Sequence, residues 1–359
     1  MKRVILHIGT FKTGSTALQF HMHQNRKLLI KNGFYYGDYF DNYYLHSNLC
    51  YGLLREALTA HGVFEKYKSH PRFLNVAEEP NAVIGRMKEN ASNCRNIIIS
   101  CEAFFADAFR TLVGLRTEIM DKEKKSINRF MRERLRELLS EFSEEVLIVC
   151  YLRRQDLLIE SQYNQYCKNI WYGDENYNLP TFMEFVALKP IELNYFSELE
   201  EWREIFDNAV FIIRPYEKGE AGYNSITDFY KNVLKIDDEE MKKFEYIEEM
   251  KMNLRLDRNV LEYKRHLGVY DRYISQLLKE YSGQLNVTRD YAYFKEEERK
   301  KFMDQFVQSN RRVAKKYLGR EYLFADTQDV FPEYQGLEEE KIFEITRWLI
   351  DKLNVVVEG

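Results

Sequence analysis

Residues 4–20 read VILHIGTFKTGSTALQF, and their order decides the fold. Residues 4–8 form an apolar run of strand length, Gly9 turns the chain, and Ser15-Thr16 open a segment of helical character. Glycines at 9 and 14 let the backbone turn tightly and approach a ligand closely, and the amides and positive dipole end of the next helix favour a phosphate or similar oxyanion. An ordinary strand-to-helix turn with a chance lysine is the plainer alternative. In the nucleoside-triphosphate loop G-x-x-x-x-G-K-[ST] the lysine follows the second glycine. Here Ser15 follows Gly14, and the lysine stands two residues ahead of that glycine, at Lys12.

Further strand-length apolar runs occur at 96–100 (NIIIS), 146–152 (VLIVCYL) and 209–214 (AVFIIR). They are continuously apolar, as parallel strands covered on both faces are. Helical periodicity fills 14–31, 47–59, 78–92, 125–142, 155–170, 195–207 and 223–234, then 255–266, 270–281, 296–318 and 338–354 with no convincing strand among the last four. The pattern predicts an α/β fold, a P-loop-type three-layer sandwich with a central, mainly parallel sheet and a helical C-terminal portion. With six prolines, no repeat and no low-complexity tract, one domain over 1–359 is expected, with a nucleotide-binding core at 1–235 and a helical extension at 236–359.

The 359 residues are 45% hydrophobic, ample for a core, and the net charge of −4 gives no field that would gather nucleic acid. Any anion site must be local. The five cysteines (Cys50, Cys94, Cys101, Cys150, Cys167) show neither C-x-x-C nor metal-ligand spacing, so reduced thiols without a chemical role are expected. The chain reaches its first strand within three residues of Met1, with no signal or spanning helix before it, so a cytoplasmic protein without membrane insertion is expected.

The displaced lysine narrows the chemistry. In a kinase, the lysine after the second glycine reaches the β- and γ-phosphates, the adjacent hydroxyl holds magnesium, and a second strand ends in aspartate. Here NIIIS runs into Ser100-Cys101-Glu102 and VLIVCYL into Arg153-Arg154, so a magnesium-independent donor fits better. In YLRRQDLLIES (151–161), Arg153 closes a strand and Ser161 lies in the following helix. That pair supplies a guanidinium fork and a hydroxyl for a second phosphate, unless Arg153 simply pairs with Asp156 or Glu160.

Taken together, these residues resemble the sulfotransferases that use 3′-phosphoadenosine 5′-phosphosulfate. That family's 5′-phosphosulfate loop, K-[TSG]-G-[ST]-[ST], matches Lys12-Thr13-Gly14-Ser15-Thr16, and its Arg-x7-Ser 3′-phosphate element matches Arg153 and Ser161. HIGTFKTGSTALQ (7–19) is similar to bacterial members, many of which act on glycans; IIRPYE (212–217) and SNRRVAKKYLGREYLF (309–324) are further likenesses. The late Arg-Lys-Gly element of cytosolic members is not recognisable. The resemblance implies transfer of a sulfuryl group to a hydroxyl or amine acceptor, a carbohydrate above all, without a metal, leaving adenosine 3′,5′-bisphosphate. It gives Lys12 the charge on the breaking bridge oxygen, the loop amides with Ser15 and Thr16 the 5′-phosphate, and Arg153 with Ser161 the 3′-phosphate. An ATP-dependent kinase with an aberrant loop and a non-catalytic nucleotide-binding protein are the alternatives.

A base must take the acceptor's proton. Glu102 is the first candidate: it ends a strand whose counterpart carries the catalytic histidine in cytosolic sulfotransferases, and SCEAFF (100–105) resembles the glutamate and paired phenylalanines of heparan sulfotransferases. Capping the next helix or holding Arg153 is its alternative role. His46 is the rival base or an acceptor-binding residue, whereas His7, inside the first strand, reads as packed core. The aromatics at 34–44 and in WYGDENYN (171–178) either stack on an acceptor or pack the fold.

Overall fold

The computed structural model describes residues 2–37, 45–105, 121–169, 179–188, 192–217, 224–244, 255–268, 271–285, 292–325 and 332–357. Its strands are β1 (Lys2–Gly9), β2 (Phe34–Tyr35), β3 (Asn96–Ser100), β4 (Ser143–Arg153) and β5 (Val210–Tyr216). They form one sheet in the order β2-β3-β1-β4-β5, every neighbouring pair parallel.

Both faces of the central strands are buried, which explains their unbroken apolar sequence. Ile5, Ile98, Leu147, Val149 and Tyr151 pack on one side against Leu18 and Met22 of the helix Ser15–Gln24 and against Phe229, Tyr230 and Val233. The intervening residues Leu6, Ile8, Ile148 and Cys150 are also fully buried. The helices Ser47–Ala60 and Asp121–Ser140 pack on one another, and the latter also on β4. An α/β architecture with a central parallel sheet is thus present as the periodicity predicts. The expected helix 14–31 divides at Asn25 into Ser15–Gln24 and Arg26–Lys31.

The chain forms two compact units. The first holds the sheet and comprises Met1–Arg154, Pro190–Met250 and Phe306–Ala325; the second comprises Gln155–Lys189, Lys251–Gln305 and Asp326–Gly359. In this division 306–325 belongs with the sheet. In that segment Ser309 Oγ accepts from the Phe196 amide (3.1 Å) and donates to Asn194 (2.8 Å), while the Arg312 guanidinium lies 3.7 Å from the centre of the Phe196 ring. Lys316 and Tyr317 both bond Glu200 of the same helix, Tyr195–Ile205.

In the second unit the helix Gln155–Asn169 is tied to later segments by buried polar bonds. Arg299 pairs with Asp156 and Glu160, Glu160 also accepts from the Tyr293 and Phe294 amides, and Asn164 brackets the Leu256 backbone with an N–H and a C=O bond. No helix among the described residues is long and apolar enough to cross a membrane.

Candidate functional site

β1 and β4 are neighbours in the sheet, yet the chain leaves β1 for the β2 side and leaves β4 for the β5 side. Such a divergence opens a crevice beyond the carboxyl ends of the strands, where α/β sheets take their ligands. The loop after β1 lies there. Its Thr10 amide donates to Tyr151 O of β4 (2.7 Å), and the Thr13 hydroxyl donates to Thr10 O (2.7 Å). Gly14 then starts the helix in the left-handed region, with φ 79°, and no side chain caps that helix end. The first-turn amides are therefore left without a side-chain cap, as an oxyanion site requires. Ser15 is buried and Thr16 half-buried at this turn.

Each glycine of the loop has a steric reason. A Cβ on Gly9, whose φ is 107°, would lie 2.8 Å from Glu102 Cβ and 2.9 Å from Glu102 Cα; one on Gly14 would lie 2.5 Å from Ser225 Oγ. Lys12 is also left-handed, with φ 62°, a conformation that costs a lysine about 1–2 kcal/mol. Arg153, the last residue of β4, donates from Nη1 to the Lys12 carbonyl at 2.8 Å and helps to hold that turn. Arg153 is itself placed by the Tyr195 hydroxyl on its carbonyl (2.5 Å) and by the Tyr216 ring, 5.8 Å from its guanidinium.

Glu102 begins a short turn after β3, next to the loop. The amides of Cys101 and Phe105 on either side of it bond His7 O (3.0 Å) and Ile8 O (3.2 Å) of β1. Its Oε2 accepts from Gln19 Nε2 at 2.9 Å, and the residue remains half-buried. Gln19 Nε2 also reaches Ser100 Oγ (3.0 Å), which lies 2.7 Å from His7 Nδ1. His7 is packed core, as its place inside the strand suggests; burial lowers its pKa to about 4.

His46, the rival base, is bonded through both ring nitrogens. Its Nδ1 accepts from the Ser100 amide (3.1 Å), so its Nε2 carries the proton and donates to Gly37 O (2.5 Å). It is fully buried, with Tyr36 edge-on at 5.2 Å. Burial lowers its pKa to about 4, outweighing the two backbone bonds that raise it. As it stands, His46 is a neutral tie between the end of β3 and residue 37, with neither nitrogen left for an acceptor. The Thr13 hydroxyl is likewise spent inside the loop, leaving its backbone for a ligand.

Ser161 lies half-buried on the helix Gln155–Asn169 of the second unit. Asp156 and Glu160, the alternative partners of Arg153, are bonded to Arg299. Phe34 and Tyr35 form the edge strand β2 and Tyr36 is buried, so these three pack the fold; residues 38–44 and 171–178 lie outside the described residues.

Residues that the sequence did not single out support this region. Asp228 takes both Arg214 Nε (3.0 Å) and Nη2, the Tyr151 hydroxyl (2.8 Å) and Asn232 (2.7 Å). Burial raises its pKa, but the bonds from Arg214, Tyr151 and Asn232 outweigh that and hold it below the usual carboxylate range. Gln19 had one usable signal: it stands four residues after Ser15, on the same helix face, among apolar core positions. Among the described residues no group of three or more His, Cys, Asp or Glu is placed to hold a metal ion.

No family model matches the chain. No solved structure matches it either. An uncharacterized protein of Archaeoglobus fulgidus is 27% identical over 194 residues, which are 52% of this chain and 50% of that protein. The chain thus spans about half the length of the curated relative it matches, whose name states no activity.

Proposed function

We propose that the chain is a sulfotransferase that moves a sulfuryl group from 3′-phosphoadenosine 5′-phosphosulfate to a hydroxyl or amine acceptor, a carbohydrate by preference. One observation carries this reading: the Lys12 loop, Arg153 and Glu102 converge at the carboxyl edge of the sheet, where β1 and β4 diverge. The uncapped helix start suits the 5′-phosphate, and Lys12 and Arg153 add two cations in a chain whose net charge is −4. The likeness to the family assigns Arg153 to the 3′-phosphate.

The donor supplies an activated sulfuryl group with adenosine 3′,5′-bisphosphate as its leaving group. In this reading Lys12 offsets the negative charge that grows on the oxygen bridging phosphorus and sulfur as the S–O bond breaks. The loop amides, Ser15 and Thr16 orient the 5′ end. Glu102 takes the proton that the acceptor loses as its new bond to sulfur forms. The sulfuryl group carries less charge than a phosphoryl group, so these side chains suffice without magnesium.

Titration calorimetry with adenosine 3′,5′-bisphosphate and with Mg-ATP tests the proposal. Metal-independent binding of the bisphosphate, followed by sulfate transfer to a member of a glycan panel, is the expected result. Preference for Mg-ATP would point to a kinase, and bisphosphate binding without transfer to any acceptor would point to a non-catalytic nucleotide-binding protein.

A further inference from the structure

The side chain of Gln19 is fully buried on the helix Ser15–Gln24, with Leu18 and Met22 of the sheet-facing core close to it in sequence. Its two amide hydrogens are both used: Nε2 lies 3.0 Å from Ser100 Oγ and 2.9 Å from Glu102 Oε2. Among the described residues its Oε1 is buried without a partner, and so is Nε2 of His7, whose other nitrogen lies against the same Ser100 hydroxyl. An unpartnered buried polar atom costs about 1–3 kcal/mol. A leucine or methionine on this helix would avoid that cost. Polar groups kept at a loss to stability are expected where function sets the requirement, and here one of them, Gln19, bonds a half-exposed carboxylate.

We infer that Gln19 is a positioning residue for Glu102: anchored on Ser100, it fixes Oε2 and leaves the other carboxylate oxygen to receive the acceptor's proton. The inference rests on the sulfotransferase reading. Glutamine suits the task because it donates without a charge. A lysine or arginine in its place would pair with Glu102 and weaken it as a base, while an apolar residue would let the carboxylate turn. The arrangement also couples the base to the anion loop, since Gln19 stands one helical turn beyond Ser15 and Glu102 is packed on Gly9.

A double-mutant cycle on the full chain tests it, with turnover read as release of adenosine 3′,5′-bisphosphate from 3′-phosphoadenosine 5′-phosphosulfate in the presence of a glycan panel. Gln19→Met keeps the volume and removes both donors; Ser100→Ala removes only the anchor and stands in if Gln19→Met does not fold. The expected result is a kcat lower by ~10- to 100-fold for Gln19→Met, and a smaller fall for Ser100→Ala, with donor KM and bisphosphate Kd unchanged. In a Glu102→Gln background neither substitution should lower kcat further, because both act through that carboxylate. Equal losses with and without Glu102, or a raised donor KM at unchanged kcat, would overturn the inference. Failure of the sulfotransferase reading is told apart because the unsubstituted protein would then release no adenosine 3′,5′-bisphosphate from the donor with any acceptor, whether or not it binds the bisphosphate.

Discussion

Glu102 and His46 meet at the same strand end, two residues and one hydrogen bond apart through Ser100, in unlike surroundings. Glu102 is half-buried at the carboxyl edge beside the loop, whereas His46 is sealed in with both nitrogens bonded. Glu102→Gln keeps shape and removes the base that the sulfotransferase proposal assigns, so on that proposal kcat should fall by ~10²- to 10⁴-fold while bisphosphate Kd stays within about twofold. Near-normal turnover in that variant would end the assignment. The histidines act on stability instead. His7 and His46 both have pKa values lowered to about 4 by burial, so the folded chain binds their protons more weakly than the unfolded chain, where they titrate near 6.5. Their contribution is complete above pH 6.5 and is lost as the pH falls from there through 4, by up to about 3 kcal/mol for each. The urea midpoint should therefore drop between pH 7 and 4. In His46→Gln it should start lower at pH 7 and fall less steeply. An equally steep fall in that variant would show that His46 is not one of the groups responsible.

The loop between β1 and its helix works only if two glycines admit two neighbours, and the neighbours differ. At Gly9 a Cβ meets the Cα and Cβ of Glu102, which cannot move without shifting the turn after β3; at Gly14 it meets the Ser225 hydroxyl, which can rotate. Both positions also carry positive φ, worth about 1–2 kcal/mol against alanine. Gly9→Ala should thus lower the urea midpoint more than Gly14→Ala, and adding Ser225→Gly should restore part of the Gly14→Ala loss. Equal losses, or no recovery, would refute this ranking. The loop was legible in sequence because an apolar run, two glycines and a hydroxyl pair follow one another within the thirteen residues 4–16. β2 was not, since two residues among many aromatics carry no period. Nor was the bond from Arg153 to the Lys12 carbonyl, which exists because β4 lies beside β1 although β2 and β3 come between them in the chain. Lys12, Arg153 and Glu102 were visible as residue types at strand ends. Gln19 was passed over, because a polar residue in a helix reads as solvent-facing unless the apolar positions around it are weighed.

At the scale of the molecule, the chain passes between its two units five times, so neither unit is one continuous stretch of sequence. The helical periodicity of 296–318 gave no sign of this, because 296–304 and 307–313 are both helical and differ only in what they pack against. The segment 306–325 closes the sheet-bearing unit: Val313 and Ala314 are fully buried, Arg312 covers the Phe196 ring, and Lys316 and Tyr317 hold Glu200. Burying one such valine is worth about 1.5–3 kcal/mol, and the ring contact adds to it, against a typical total of about 5–15 kcal/mol. A fragment 1–235 lacks all of these contacts and leaves the Phe196 and Phe211 rings without the side chains that meet them. It should therefore bind a hydrophobic dye and give a broad urea transition in place of a cooperative one. Val313→Asp in the full chain should produce a milder form of the same defect, with a lowered midpoint. A sharp transition for 1–235, with a urea slope appropriate to its length, would instead restore the boundary at 235 and make 306–325 an accessory to a core that folds without it.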